Sequence, residues 1–170
     1  VRGMANALKR MKGQERLIDL FIAESVEVIS GIVDVHFMHF HQQARAAGIK
    51  MVGTHHEVAS VNMAEAASRM TGKPQVCMAA YGPGVANMVG GVVTAQEEKV
   101  PLIILVTQRS KHCQGAVRNA KYQFWDQLRV FREITKHQVV VNTLDNLDAA
   151  VRECFRQAVS GTPGPVYLEV

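Results

Sequence analysis

The sequence predicts an α/β fold, a doubly wound and mainly parallel six-stranded sheet with helices on both faces. Helical and extended patterns alternate along almost the whole chain, which is the order that βαβ units produce. The extended patterns are continuous apolar runs, as in residues 102–107, and such runs are typical of strands covered on both faces. At 170 residues, 48% of them apolar, the chain is long enough to bury the core of one domain.

The first half of the chain contains three helical and two extended patterns. Apolar residues at helical spacing, such as Leu17 and Phe21, define the first helix, and a β-branched run follows it as a buried strand. Gly48 and Gly72 stand where a glycine is expected, just beyond the ends of the second and third helices. In order, we predict a helix over 14–25, a strand over 26–33, a helix over 35–47, a strand over 50–56 and a helix over 57–71.

The second half of the chain continues the alternation. Val100 and Pro101 lead into the clearest strand, and Asp145 or Asn146 opens the last helix. A turn rich in glycine and proline, residues 161–165, precedes the final strand. In order, we predict a strand over 75–80, a helix over 85–99, a strand over 102–107, a helix over 124–135, a strand over 137–142, a helix over 147–160 and a strand over 166–170.

Composition excludes several classes of protein. The net charge of +4 is mild and the basic residues are scattered without interleaved aromatics, so we expect no nucleic-acid partner. The three cysteines, Cys77, Cys113 and Cys154, have no paired spacing and indicate reduced thiols in a cytoplasmic compartment. No apolar run approaches the roughly 18 residues that span a bilayer, so no membrane segment is expected.

The chain divides at about residue 13. Residues 1–13 are basic and lack acid, which fits a solvated leader and, less simply, the remnant of a transit peptide. Residues 14–170 form the domain. The chain stops on an apolar strand without a polar tail, so we expect a domain from something longer or one subunit of a split assembly.

Glu57 is the first candidate for chemistry. It lies where a strand ends and a helix begins, and ligands of parallel sheets sit beyond the carboxyl ends of the strands. A glutamate in a first helical turn often only complements the helix dipole. Here the side chains on one face of the following helix are small and mostly apolar. This favours a carboxylate that faces an enclosed site, where it can exchange a proton.

The second candidate is the turn Gly82-Pro83-Gly84, which follows the next strand and precedes Asn87. It can be a plain tight turn or an anion cradle at a helix N-terminus. It is neither a P-loop nor a dinucleotide fingerprint, because both spacings are missing. Glycine would let the backbone approach a flat ring closely, and Pro83 would offer the ring an apolar surface.

Other polar and aromatic clusters are more ambiguous. His36, His39 and His41 lie on one predicted helix without acidic or cysteine partners at ligand spacing, so we assign no metal site to this chain. The aromatic and amide residues of 122–127 either dock a loop onto the core or place Tyr122 and Gln123 near a substrate. Cys77 lies in mid-strand and is expected to be buried and inert.

The order of these motifs resembles the N-terminal pyrimidine-binding domain of thiamine-diphosphate enzymes of the acetolactate synthase and oxalyl-CoA decarboxylase group. The resemblance covers nearly the whole chain from Leu17 onward, and it is specific in combination. The matching stretches are Thr54-His-His-Glu57, Ala64-Glu-Ala-Ala-Ser-Arg-Met-Thr-Gly72, Lys73-Pro74, Gly82-Pro-Gly-Val-Ala-Asn87, Val100-Pro-Leu-Ile-Ile-Leu-Val-Thr-Gln108 and Ser160-Gly-Thr-Pro-Gly-Pro-Val-Tyr-Leu168.

The resemblance implies a role for each matching position. The family's glutamate at the position of Glu57 bonds to N1′ of the aminopyrimidine and activates the cofactor, which serves as an electron sink. Cofactor-binding contacts map onto Gly82, Pro83, Gly84 and Asn87. Residues that act in catalysis or face the substrate map onto Tyr122, Gln123, Gln108 and His56.

The resemblance also implies what another part of the enzyme supplies. The family binds diphosphate and Mg²⁺ through a Gly-Asp-Gly motif in a separate domain, and this chain contains no Gly-Asp-Gly. The implied partner is the diphosphate-binding domain of a neighbouring subunit, in a homodimer or homotetramer. The loop Gly31-Ile-Val-Asp34 departs from the family's usual pattern, and its neighbourhood leaves the acetolactate synthase and 2-hydroxyacyl-CoA lyase branches both open.

The implied function is half of an active site that decarboxylates a small 2-oxo acid or makes and breaks bonds beside a carbonyl. The alternative is a catalytically silent interaction or regulatory domain that keeps the fold; it would not require an acid at Glu57. A doubly wound nucleotide-binding module would require a phosphate-cradling fingerprint, which the sequence lacks.

Overall fold

A computed structural model of the chain describes residues 12–108, 123 and 125–170. These residues form a six-stranded sheet in the order β2-β1-β3-β4-β6-β5, and every neighbouring pair is parallel. The predicted doubly wound α/β fold is therefore confirmed. The strands are Val28–Gly31 (β1), Lys50–Gly53 (β2), Gln75–Ala79 (β3), Leu102–Val106 (β4), His137–Val140 (β5) and Pro165–Glu169 (β6).

Seven α-helices lie in the described residues. Two short 3₁₀ helices, Val35–Phe37 and Leu144–Asn146, lead directly into the second and the last of them. The helices are Gly13–Ala23 (α1), Met38–Ala46 (α2), Glu57–Thr71 (α3), Pro83–Asn87 (α4), Val89–Glu97 (α5), Gln127–Ile134 (α6) and Leu147–Val159 (α7).

Alternate residues of β3, β4 and β6 enter two separate cores, as the two-residue period of a strand requires. On one face, Ile103 and Leu105 of β4 pack with apolar residues of α1, α2 and α7. On the other face, Ile104 and Val106 pack with residues of α3, α5 and α6. All of β4 is buried, because it lies in the sheet interior and helices cover both faces.

Element boundaries differ from the predicted ones where side chains or local turns intervene. Strand β2 ends at Gly53 rather than at His56, because His56 already caps helix α3. The predicted helix over 85–99 begins at Pro83 and is divided at Met88. The predicted helix over 35–47 opens with a 3₁₀ turn that the Asp34 carboxylate caps.

Two strand ends meet where the chain reverses its direction across the sheet, between β1 and β3. The Tyr81 hydroxyl lies 3.2 Å from Nε2 of His36, and Nδ1 of His36 lies 2.5 Å from Oδ1 of Asp34. Partial burial opposes ionisation of Asp34, yet the hydrogen bonds from His36 prevail and hold the pKa of that carboxyl below its ordinary value. The loop after β1 is thereby tied to the turn after β3.

The two cysteines in the described structure, Cys77 and Cys154, are free and buried. Burial raises the pKa of the Cys154 thiol to about 12 and that of Cys77 still further, so both remain protonated. This agrees with the prediction that Cys77 is inert, while Cys113 lies outside the described residues. Within the described residues, no helix has both the length and the hydropathy needed to cross a bilayer.

A bidentate ion pair between Arg16 and Asp148 joins helices α1 and α7, with Arg16 Nε and Asp148 Oδ1 2.8 Å apart. The Arg16 hydrogen bond lowers the pKa of Asp148 below its ordinary value of 3.8. A lowered folded-state pKa contributes stability above the unfolded pKa, and this contribution disappears as the pH falls through the folded value.

We therefore expect Asp148→Asn to destabilise the domain near neutral pH and to have no effect in strong acid. Because the Asp148 side chain is 42% exposed, solvent screening limits the loss to less than about 1 kcal/mol. Urea unfolding of both proteins across the acidic range measures this difference. A difference in unfolding free energy that grows as the pH falls would contradict the assignment.

Candidate functional site at the ends of β2 and β3

Glu57 is placed by the local structure that begins helix α3. The His56 ring accepts a hydrogen bond from the Val58 amide at 3.2 Å, which caps the helix. Ser60 Oγ donates to the Glu57 carbonyl at 2.6 Å, and this bond holds the first turn. The Glu57 carboxylate is half-buried at the N-terminus of a 15-residue helix, where the helix dipole favours negative charge.

One oxygen of the Glu57 carboxylate accepts a hydrogen bond, and the other lies beside Gly84. Asn87 Nδ2 donates to Oε2 at 3.0 Å, which joins helix α4 to helix α3. Oε1 lies 2.9 Å from the position that a Cβ atom would take at Gly84. Any side chain at residue 84 would therefore displace the carboxylate from its present position.

The turn before helix α4 is held by residues far along the chain. Gly82 has φ of +82°, and a Cβ there would lie 2.6 Å from both Cβ and the carbonyl oxygen of Gln123. Trp125 Nε1 donates to the Gly82 carbonyl at 3.2 Å. Gln123 therefore lies close to the backbone of Gly82, and Pro83 is exposed at the start of α4. The expected approach of this turn to a flat ring stays a prediction.

The predicted site residues do not all converge. Glu57, Gly84 and Asn87 are in direct contact, and Gln123 packs against Gly82. His56 is exposed, with its ring serving the helix cap. Tyr122 lies outside the described residues.

Gln108 follows β4 and contributes to a different feature. Its Nε2 donates to Oε1 of Glu169 at 3.0 Å. It also lines a cavity of about 610 Å³, and neither Glu57 nor Asn87 is among the described lining residues. The cavity lies between the ends of β4 and β6 and the first turns of α1 and α7, with His36, Phe40, Thr107, Val141, Leu147 and Val170 in its wall.

The described residues hold no cluster of three or more histidine, cysteine or acidic side chains that could bind a metal ion. His36 is engaged by Asp34 and Tyr81, and His41 is buried in α2. Burial, with a smaller contribution from Arg45, lowers the pKa of His41 and favours its neutral form.

Comparison with known protein families decides what this arrangement belongs to. The family described as thiamine pyrophosphate enzyme, N-terminal TPP binding domain, matches residues 11–130. The chain belongs to that family. The resemblance first seen in the motifs around Glu57 and Gly82 is thereby confirmed.

Relatives of this chain come from plants, archaea and bacteria. It is 34% identical over 160 residues to acetolactate synthase 3, chloroplastic, of Brassica napus, covering 94% of the chain and 24% of the relative. It is 31% identical over 160 residues to the probable acetolactate synthase large subunit of Methanocaldococcus jannaschii, covering 94% of the chain and 27% of the relative. It is 28% identical over 169 residues to acetolactate synthase isozyme 1 large subunit of Escherichia coli, covering 99% of the chain and 30% of the relative.

The chain spans about a quarter of the length of the curated relatives it matches. The residues that could hold the aminopyrimidine end of a cofactor are Glu57, Gly84 and Asn87. Glu57 is half-buried, Asn87 steadies one of its carboxylate oxygens, and the glycine at residue 84 leaves room beside the other.

Two residues of this region were missed by the sequence reasoning. Gln127 and Glu169 are buried polar residues: Gln127 accepts a hydrogen bond from the Gly82 amide, and Glu169 accepts one from Gln127. For Glu169 a signal was present, since the two-residue period of the last strand puts it on the same face as Tyr167. For Gln127 no local signal exists, because its partners lie 20 to 45 residues away.

Proposed function

We propose that this chain is the pyrimidine-binding half of a thiamine-diphosphate-dependent enzyme that acts on a 2-oxo acid or 2-hydroxyacyl substrate. The observation that carries the proposal is the Glu57 carboxylate, held by Asn87 Nδ2 at 3.0 Å and packed against Gly84. Names of the relatives favour the acetolactate-forming branch, in which a decarboxylation is followed by formation of a carbon–carbon bond.

In the proposed complex, Glu57 exchanges a proton with the ring nitrogen N1′ of the aminopyrimidine. Asn87 keeps the carboxylate in one orientation by donating to Oε2, which leaves Oε1 for the ring. The exposed ring of Pro83 and the half-buried backbone of Gly84 supply the surface on which the pyrimidine rests. When bound, thiamine diphosphate supplies the electron sink for cleavage and formation of bonds beside a carbonyl.

On the substrate side, the proposal assigns Gln123, Tyr122, His56 and Gln108. Gln123 has the best structural support, because it packs directly against Gly82. The exposed His56 adjoins Glu57 and can turn toward a substrate only if its helix-capping bond is released. Gln108 would act from its position after the end of β4, where its side-chain amide donates to Glu169.

Binding of the diphosphate and Mg²⁺ is assigned to a domain other than this one. The described residues contain no metal-binding cluster, and the chain lacks the Gly-Asp-Gly motif that the resemblance requires. The proposed partner is the diphosphate-binding domain of a neighbouring subunit, in a homodimer or homotetramer. The active site would then lie at the interface, with Glu57 facing the other subunit.

The 170-residue chain alone is therefore expected to bind thiamine diphosphate weakly or not at all. The complete enzyme, with the domain that supplies the diphosphate site, should bind it in the presence of Mg²⁺. Titration calorimetry on the two proteins under the same conditions measures the difference. Micromolar binding to a monomer of the isolated chain would contradict the assignment of the diphosphate site to another domain.

A further inference from the structure

A buried polar pair lies beneath the Gly82 turn. Gln127 is the first residue of α6 and is 1% exposed, and Glu169 is the last residue of β6 and is 4% exposed. Burying an amide or a carboxylate is unfavourable unless its hydrogen bonds are made, so such groups require specific partners. The partners of both groups lead to the candidate site.

The Gln127 amide has only one orientation that satisfies its surroundings. Its Nε2 donates to the carbonyl oxygen of Thr107 at 2.9 Å and to Oε2 of Glu169 at 3.1 Å. Both of these groups are acceptors, so the amino end of the amide must face them. Oε1 is thereby turned toward Gly82, whose backbone N–H donates to it at 3.3 Å.

Glu169 is held in place by further donors. Gln108 Nε2 donates to Oε1 at 3.0 Å, and the Tyr167 hydroxyl donates to Oε2. Burial, together with the adjacent Glu169 charge, raises the pKa of Tyr167, so its hydroxyl stays protonated and remains a donor. A carboxylate fixed in this way fixes the amide of Gln127 in turn.

The other polar group of Gly82 is also engaged. Trp125 Nε1 donates to the Gly82 carbonyl, so both the N–H and the C=O of this residue are bonded to side chains. Gly82 is the N-cap of α4, and α4 carries Gly84 and Asn87, the two residues that contact Glu57. The position of α4 relative to Glu57 therefore depends on where Gly82 is held.

We propose that Gln127 is a positioning residue for the cofactor site, oriented by Glu169 and acting through Gly82 and helix α4. The inference rests on the proposed function, since it assumes that the pyrimidine binds beside Glu57 and Asn87. It adds two residues that lie outside the matching motifs and that do not contact Glu57 in the structure. Their contribution is to keep the turn and the helix at one distance from the carboxylate.

The test uses Gln127→Met in the complete enzyme, because methionine keeps the volume and removes the hydrogen bonds. Without cofactor, we expect faster amide hydrogen exchange in residues 80–88 than in the wild type. Cofactor affinity, measured by calorimetry with Mg²⁺, should fall roughly tenfold because a directed hydrogen bond to the turn is lost. Glu169→Gln, which lets the Gln127 amide reverse, should shift both measurements in the same direction.

The matched control is Gln138→Met. Gln138 is a partly buried glutamine whose Nε2 bonds to the Thr135 carbonyl at 2.9 Å, and none of its described bonds reaches the turn. We expect wild-type exchange in residues 80–88 and wild-type cofactor affinity for this variant. Should Gln127→Met fail to fold, Glu169→Gln alone carries the test, because it leaves Gln127 in place and removes the carboxylate that orients its amide.

Two results would overturn the inference. One is wild-type exchange of residues 80–88 in both Gln127→Met and Glu169→Gln. The other is faster exchange of residues 80–88 in these variants with unchanged cofactor affinity. If Glu57→Gln still abolishes cofactor activation in that case, the proposed function stands and the positioning role of Gln127 is wrong. If Glu57→Gln has no effect, the proposed function fails, and the exchange experiment on the cofactor-free protein still reports on the turn.

Discussion

Replacing Glu57 with glutamine in the complete enzyme is expected to abolish cofactor activation without unfolding the protein. Glutamine keeps the size of the side chain and can still bond to Asn87, but it cannot exchange a proton as a carboxylate does. The rate of exchange of the cofactor C2 proton should fall by roughly 10²–10⁴-fold, the usual contribution of a general acid–base group.

The measurement is C2-proton exchange into deuterated water, followed by NMR with the enzyme saturated with cofactor. Glu97→Gln is a suitable control, because Glu97 is an exposed acid at the end of α5 and should leave the exchange rate unchanged. Thermal unfolding of both variants checks that the fold is retained. Wild-type exchange in Glu57→Gln would refute the assigned role and favour the alternative of a catalytically silent domain.

The fold was predictable because it follows from local patterns that agree with one another. Continuous apolar strands such as β4 require cover on both faces, and the intervening helices supply it. Helix α3 begins at Glu57 and ends at Thr71, as predicted, because the polar residue before it and Gly72 after it provide the caps. The parallel pairing then follows from the alternation of helix and strand.

Boundaries were less predictable where a side chain competes with the regular structure. The Asp34 carboxylate accepts from the His36 amide at 2.9 Å and so opens a 3₁₀ turn where apolar spacing alone predicts an α-helix. The division between α4 and α5 at Met88 has no mark in the hydrophobic pattern.

The candidate site was predictable in part, for a comparable reason. Glu57 and Gly84 are marked by their places at strand ends and helix starts, so sequence alone brings attention to them. The bond between Glu57 and Asn87 joins residues 30 apart, and only the packing of α3 against α4 reveals it. The same holds for Gln127, since the orientation of its amide depends on three separate elements.

Replacing Gly82 with alanine is expected to destabilise the domain strongly. Its φ of +82° with ψ of −129° belongs to a region that residues with a side chain rarely adopt, and forcing alanine there costs about 1–3 kcal/mol. The new Cβ would also lie 2.6 Å from the carbonyl oxygen of Gln123, and relieving such crowding typically adds about 1–3 kcal/mol. The combined loss should be roughly 2–6 kcal/mol if the two contributions add.

Urea unfolding compares this variant with Gly90→Ala, its matched control. Gly90 lies in helix α5 with open space around its Cβ position, so alanine there should stabilise the domain by about 0.5–1 kcal/mol. The same substitution at two glycines eight positions apart should therefore change the unfolding free energy in opposite directions. A loss below about 0.5 kcal/mol for Gly82→Ala, the range of ordinary surface changes, would mean that the turn can move away from Gln123. The geometry around Glu57 would then not depend on this contact.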